Sequence, residues 1–186
     1  TNESYRAIAL DRGRMPDEDV FVVRSGPSLE RLKIQPPKPD LKQGRKYLVG
    51  YVGVMGQQEG IDYLLNAARH IIFDMGRTDV HFGLVGGGPS LDEMQDMARD
   101  LGIADYVTFT GRVPDEDLLD MLNTAEVCVN PDTYNAMNDK STMNKIVEYM
   151  ALCKPIVQFD LTEGRFSAQD ASLYADRNNA EDMAQK

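Results

Sequence analysis

The sequence predicts a doubly wound, parallel α/β sheet with helices on both faces. Two observations carry that expectation. From Lys46 onward, short continuous apolar runs alternate with segments of helical periodicity, the pattern of strands covered on both sides by crossover helices. Glycine-bearing loops follow several of those runs, where the carboxyl ends of parallel strands open into a ligand crevice.

Composition frames what such a sheet can do. A chain of 186 residues, 42% hydrophobic and 27% charged, has room for one good core. Its net charge of −10 argues against nucleic acid or an anionic membrane as partner through a broad basic surface, while leaving room for an anionic ligand in a local site. No apolar run approaches the ~20 residues that span a bilayer, and no signal peptide opens the chain. Cys128 and Cys153 form no disulfide or metal framework, so no metal is expected and a cytoplasmic, reducing setting fits. The chain starts at Thr1 and ends in what reads as a starting helix, so a piece of a longer protein is expected.

Residues 1–26 make a poor domain by themselves. Asn2 to Arg12 has helical spacing at Tyr5, Ile8, Ala9 and Arg12, with Gly13 and Pro16 ending it. Val20 to Arg24 reads as a strand stopping at Ser25-Gly26. One helix and one strand cannot bury their apolar faces alone. Residues 27–45, with Pro27, Pro36, Pro37 and Pro39 among charges, read as a semi-rigid linker.

Residues 46–186 then alternate regularly. Tyr47–Val52 reads as a strand, and Ile61–Phe73 as a helix with Leu64, Leu65, Ala68 and Ile72 on one side. Val80–Val85 follows as a strand, then Gly86-Gly87-Gly88-Pro89-Ser90 and a helix to Leu101. Tyr106–Thr110 is the third strand, followed by Gly111-Arg112-Val113-Pro114 and a helix around Leu118, Leu119 and Leu122. Val127–Asn130 is the fourth and Pro155–Phe159 the fifth, with Ser172–Ala175 as a candidate sixth.

The stretch between the fourth and fifth strands, Asp139 to Asp160, concentrates the chemistry. Met143, Ile146, Val147 and Met150 have the spacing of a core-facing stripe, and Ser141 and Thr142 sit where a helix cap belongs. The opposite face carries Asn144, Lys145 and Glu148. A positive helix end beside a lysine suits phosphate, and a nearby carboxylate suits a sugar diol. The plainer alternative is a solvated Lys145–Glu148 pair worth only ~0.2–0.5 kcal/mol.

The other strand ends offer Gly53 to Gly56, Gly86 to Gly88, Gly111 with Arg112, Asn130 to Asp132, and Asp160. Glycine lets backbone N–H groups approach a phosphate or base closely, although three glycines before a helix also make an ordinary tight turn. No GxGxxG fingerprint follows the first strand, and no GKS or GKT phosphate loop is present. His70 and His81 have no recognisable catalytic partner, and Glu163 with Arg165 reads either as a pair of sugar contacts or as a salt-bridged surface loop.

Asn144-Lys145-Ile146-Val147-Glu148-Tyr149-Met150-Ala151, followed by Lys154-Pro155-Ile156-Val157, resembles the nucleotide-sugar-binding helix of family 4 glycosyltransferases of the GT-B fold. Leu84 to Pro89 is similar to that family's Val-Gly-x-Gly-Pro loop, Val107 to Pro114 to the strand and turn that hold the base, and Leu118 to Pro131 to the approach to the donor-sugar loop. The resemblance covers most of residues 46–186 and implies a Rossmann-like domain, the C-terminal half of a GT-B enzyme. It implies that Glu148 hydrogen-bonds the donor ribose, and that backbone near Gly111 and Arg112 grips the base. For Arg112 a solvated turn position is an equal alternative. Residues 1–26 resemble the tail of an N-terminal domain that lies outside this chain.

Three departures from the family pattern matter. The arginine and lysine that commonly hold the diphosphate are Val54 and Glu59 here. The first glutamate of the family's Glu-x7-Glu falls at Lys140, beside Asp139, and Cys153 replaces a usual glycine. The expectation is that Lys145, the Gly56 loop and the helix start at Thr142 take over the diphosphate.

The expected function is therefore donor binding for glycosyl transfer with retention, from a nucleoside-diphosphate sugar, a UDP-sugar above all. The expected donor site is Gly53, Gly56, Gly86, Gly87, Gly88, Gly111, Arg112, Thr142, Asn144, Lys145 and Glu148. No tightly bound cofactor is expected. Catalytic residues are expected in part on the N-terminal domain, and the acceptor (glycan, lipid-linked or small molecule) is open. Alternatives are a nucleotide-sugar epimerase of the same architecture and a non-catalytic nucleotide-binding or scaffold domain, the latter prompted by Val54 and Glu59.

Overall fold

A computed structural model describes residues 1–186. Six parallel strands form one sheet: β1 (Tyr47–Val52), β2 (Val80–Val85), β3 (Val107–Phe109), β4 (Val127–Asn130), β5 (Ile156–Phe159) and β6 (Ser172–Ala175), in the order β3-β2-β1-β4-β5-β6. The chain winds outward in one direction from β1 to β3 and then returns to β4 on the other side of β1. The reversal leaves a crevice between the carboxyl ends of β1 and β4.

Strand side chains alternate between two cores. One face of the sheet buries Tyr51, Phe82, Leu84, Val129 and Phe159 under α2 (Ile61–Arg69), α3 (Leu91–Asp100) and α7 (Ala180–Gln185). The other buries Leu48, Val85, Cys128 and Ile156 under α4 (Asp115–Thr124), α5 (Asn144–Ala151) and α6 (Thr162–Ala168). Every residue of β2 is buried, as continuous apolar runs require. The first long helix keeps α geometry only to Arg69; His70–Asp74 widens into a π turn before the chain leaves for β2.

Residues 1–45 fold back against this domain. The expected N-terminal helix is α1 (Glu3–Asp11), capped by Asn2, whose side chain accepts from Tyr5 N. Val20–Arg24 is not a strand. It has no regular secondary structure and pairs with no sheet strand, leaving Phe21 and Val23 75% and 72% exposed, and its Val23 bonds only to Thr1. A β-propensity run without a neighbouring strand has nothing to fill its backbone groups. The proline-rich stretch is docked rather than free: Leu32 is buried, Gln35 N donates to Asn123 Oδ1, and Lys38 N donates to Thr124 Oγ1 on α4. Lys38 and Lys42 add ion pairs to Asp120 and Glu126.

Candidate functional site

The glycine loops close the crevice from the β1 side. Gly53 N donates to Val85 O at 3.0 Å, Met55 N to Gly87 O at 3.2 Å and Gly86 N to Gly111 O at 2.9 Å, so the turns after β1, β2 and β3 form one continuous surface. Gly86 has φ +131°, and a Cβ there would lie 1.8 Å from Gly53 O. No L side chain fits that conformation or that gap. Arg112 is exposed above the turn, its Cγ 3.5 Å from where a Gly87 Cβ would stand.

The β4 side closes against the turn into α2. Gly60, at φ +66°, brings its backbone so near Pro131 that a Cβ would sit 1.9 Å from Pro131 O. Gln58 O accepts from Thr133 N and Asn138 Nδ2, stitching the loop after β4 to the turn after β1.

α5 enters this crevice with its N-terminus, but not as its sequence stripe suggests. The residues buried from it are Ile146 and Tyr149; Met150 is exposed. Tyr149 occupies the core because its hydroxyl donates to Val129 O at 3.2 Å and accepts from Val52 N at 3.0 Å, tying the helix to β4 and β1. The cap position is Met143, which has no side-chain cap bond, so the expected capping role of Ser141 and Thr142 is overturned. Thr142 Oγ1 accepts instead from Asn2 Nδ2 at 2.9 Å, and Tyr5 meets Ser141 at 2.6 Å. The N-terminal segment competes for those hydroxyls and wins them. Asn144, the first helical residue, is exposed.

Lys145 and Glu148 do not pair with each other. Lys145 Nζ lies 2.8 and 3.0 Å from the two carboxylate oxygens of Asp132, 3.1 Å from Glu59 Oε2 and 5.3 Å from the Tyr51 ring centroid. Its Cε also lies 3.3 Å from where a Gly53 Cβ would be, which places the side chain against the first glycine loop. Glu148 Oε1 accepts from Arg31 Nη1 at 3.1 Å. Lys145 therefore bridges the loops after β1 and β4 at the sheet's reversal, with Glu148 one turn further along the same helix.

Asp132 is the member of the cluster that site selection from sequence passed over. Burial pushes its carboxyl well above the usual carboxylate range, with Lys145 opposing and Glu59 adding to the rise. The available signal was an acidic residue just past a strand's carboxyl end, thirteen residues before the helix lysine; nothing in that spacing shows contact. Burial likewise pushes the Tyr51 hydroxyl far above its ordinary value, and it donates to Val54 O. Glu59 Oε2 accepts from Lys145, and Val54 is exposed.

Other sequence candidates take structural partners. Glu163 lies on α6 and not in a surface loop; it is 3% exposed and binds Ser4 Oγ and Arg24. Asp139 accepts from the backbone N–H and hydroxyl of Thr162, holding the start of α6. His70 does have a carboxylate neighbour, Asp74, at 2.9 Å, formed where the π turn brings position 74 round. His81 is buried at the opposite end of the sheet between Arg45 and Thr108. No group of three or more His, Cys, Asp or Glu side chains is arranged to hold a metal ion, and no helix is long and apolar enough to cross a membrane.

A six-stranded, doubly wound sheet with its crevice at the β1–β4 reversal is the Rossmann-like half of the GT-B architecture. Superposition on HepE of Anabaena, a structure solved in complex with UDP-glucose, gives a TM-score of 0.80 at 17% identity, covering 99% of this chain and 50% of that one. The chain belongs to the family of glycosyl transferases group 1, whose model matches residues 46–186. It is 29% identical over 114 residues to an alpha-D-kanosaminyltransferase of Streptomyces kanamyceticus, covering 61% of this chain and 28% of the relative. It is 50% identical over 40 residues to a GDP-mannose-dependent phosphatidylinositol monomannoside mannosyltransferase of Mycolicibacterium smegmatis, 22% of this chain and 10% of the relative. The chain thus spans half or less of the length of each of these relatives.

Proposed function

We propose that residues 46–186 are the donor-binding domain of a family 4 glycosyltransferase, holding a nucleoside-diphosphate sugar, a UDP-sugar above all, for transfer with retention. One observation supports this reading: Lys145 of α5 meets residues of the loops after β1 and β4, at the end of the sheet where the glycine loops after β1, β2 and β3 converge, with Glu148 one turn further along the helix. Glu148 takes the ribose hydroxyls, backbone around Gly111 and Arg112 takes the base, and the Gly53–Gly56 and Gly86–Gly88 loops with Lys145 and Asn144 take the diphosphate. Thr142, committed to Asn2, contributes through the backbone at the helix start. No metal or tightly held cofactor enters this scheme.

Rate comes from positioning and from fixed dipoles that stabilise the departing diphosphate. The acceptor and its catalytic groups belong to an N-terminal domain facing this crevice. That arrangement is supported by the length of HepE, of which this chain covers half. Residues 1–186 alone accordingly bind the donor without acceptor-dependent release of nucleotide, because positioning worth ~7–11 kcal/mol is missing.

Calorimetric titration with UDP tests the reading. A charged hydrogen bond to a ribose hydroxyl is worth roughly 1.5–3 kcal/mol, so Glu148→Ala weakens UDP about 10- to 100-fold with the fold intact. Unchanged affinity would return Glu148 to a structural ion pair.

A further inference from the structure

Lys145 is the one cation that the proposed donor site offers to a diphosphate, and in this structure it is fully claimed. Asp132 grips it through both oxygens and Glu59 through one, and the Asp132 side chain is 1% exposed. The trio bears one ammonium and two carboxyl groups, so with both carboxyls ionised its net charge is minus one. A donor diphosphate brings two further negative charges to the same place. Like charges that close disfavour one another's ionised form, and the cluster cannot hold all of them.

We propose that Asp132 is a positioning residue that sets donor affinity by proton exchange: taking up a proton, it releases Lys145 to the diphosphate. The inference rests on the donor-binding reading above and adds a device to it. When Asp132 is neutral, it still accepts one hydrogen bond from Lys145, which keeps the ammonium aimed between the loops after β1 and β4 while its charge is free for phosphate. Glu59 is the better-solvated of the two carboxyl groups, at 18% side-chain exposure. Burial has already brought the Asp132 carboxyl toward the range where neutral-pH exchange occurs.

The groups facing Asp132 are few. Lys145 comes from α5, Glu59 from the turn before α2 and Tyr51 from β1, with Tyr149 behind. Both tyrosine hydroxyls are pushed up by burial and donate to backbone carbonyls, so they remain neutral and leave Asp132 as the group that exchanges the proton. Glu148 is turned toward Arg31 and takes no part.

The test is titration of the chain with UDP-glucose and with GDP-mannose, whose diphosphate diesters keep a constant charge between pH about 6 and about 8.5. For whichever probe binds, wild-type affinity should fall about tenfold or more across that range, since only the protonated fraction is competent. Asp132→Asn, which is neutral at every pH, should hold the wild-type low-pH affinity throughout. Glu59→Gln serves where Asp132→Asn does not fold: removing the carboxylate that helps raise the Asp132 carboxyl should move the fall in affinity to lower pH and flatten the profile above neutrality. Wild-type and variant profiles of equal slope, or weaker binding by Asp132→Asn at every pH, overturn the proton exchange and leave the donor-binding reading standing. Failure of wild type to bind either probe at any pH overturns both.

Discussion

Arg31 and Glu148 meet at 3.1 Å between Nη1 and Oε1, while Nε and Nη2 of the same guanidinium hold both oxygens of Asp115 at 2.7 and 3.2 Å. A residue of the proline-rich stretch thus rests on the carboxylate assigned to the donor ribose, anchored from behind by the start of α4. Ribose binding and this contact draw on the same carboxylate.

Removing the competitor should help the ligand. A part-exposed ion pair contributes ~0–1 kcal/mol, so Arg31→Ala should tighten UDP by up to about fivefold. Titration of UDP into wild type and variant reads this directly. A loss of affinity would make Arg31 itself a ligand contact.

Lys145 should discriminate by charge. Lys145→Ala is expected to weaken UDP about 10- to 100-fold, the value of a charge-assisted bond of roughly 1.5–3 kcal/mol. Uridine, which lacks the diphosphate, should lose less than threefold. Equal losses for the two ligands would place the effect of Lys145 on the fold or the base.

Cys153 ends α5 at φ +55°, in the left-handed region, with Cys153 N donating to Met150 O and Lys154 N to Tyr149 O. This is the paired-bond helix terminus that favours glycine. A left-handed non-glycine residue costs roughly 1–2 kcal/mol, so Cys153→Gly should raise stability by up to ~1 kcal/mol after glycine's own entropy is counted. Thermal denaturation showing a lower Tm would mean that the thiol makes a compensating contact.

His81 predicts an acid-side loss of stability. Burial and the neighbouring Arg45 push its pKa down to about 4, below its ordinary 6.5. The unfolded chain therefore binds the proton first as pH falls, and the stabilisation present above pH 6.5 is lost progressively down to about 4. The Tm advantage of wild type over His81→Gln should shrink across that window. A pH-independent difference would contradict the depressed value.

Much of the sheet is legible in the residues. All six strands of residues 46–186 and the helices leading to β2, β3, β4 and β5 lie where alternation of apolar runs and helical spacing puts them, within the usual drift of element ends, whereas α6 forms in a stretch that reads as a loop. Val20–Arg24 shows the limit of that signal. Its residues favour an extended backbone, and Val20 adopts one, yet strand identity requires a partner that local propensity cannot supply. The buried face of α5 shows another: Tyr149 outranks Met150 because its hydroxyl finds Val129 and Val52, which spacing along the helix does not record.

By itself the sequence determined the α/β class, the glycine loops at the strand ends and the presence of Lys145 and Glu148 on one short helix, because periodicity and backbone permissiveness are local properties. Only the tertiary structure decided what those two side chains touch. The reversal of strand order between β1 and β4 brings Glu59 and Asp132 onto Lys145 from chain segments 73 residues apart, and the docked stretch before β1 brings Arg31 onto Glu148 across 117 positions. Electrostatic partners are set by distance in space and by shared burial, and neither is written into the spacing of residues along the chain.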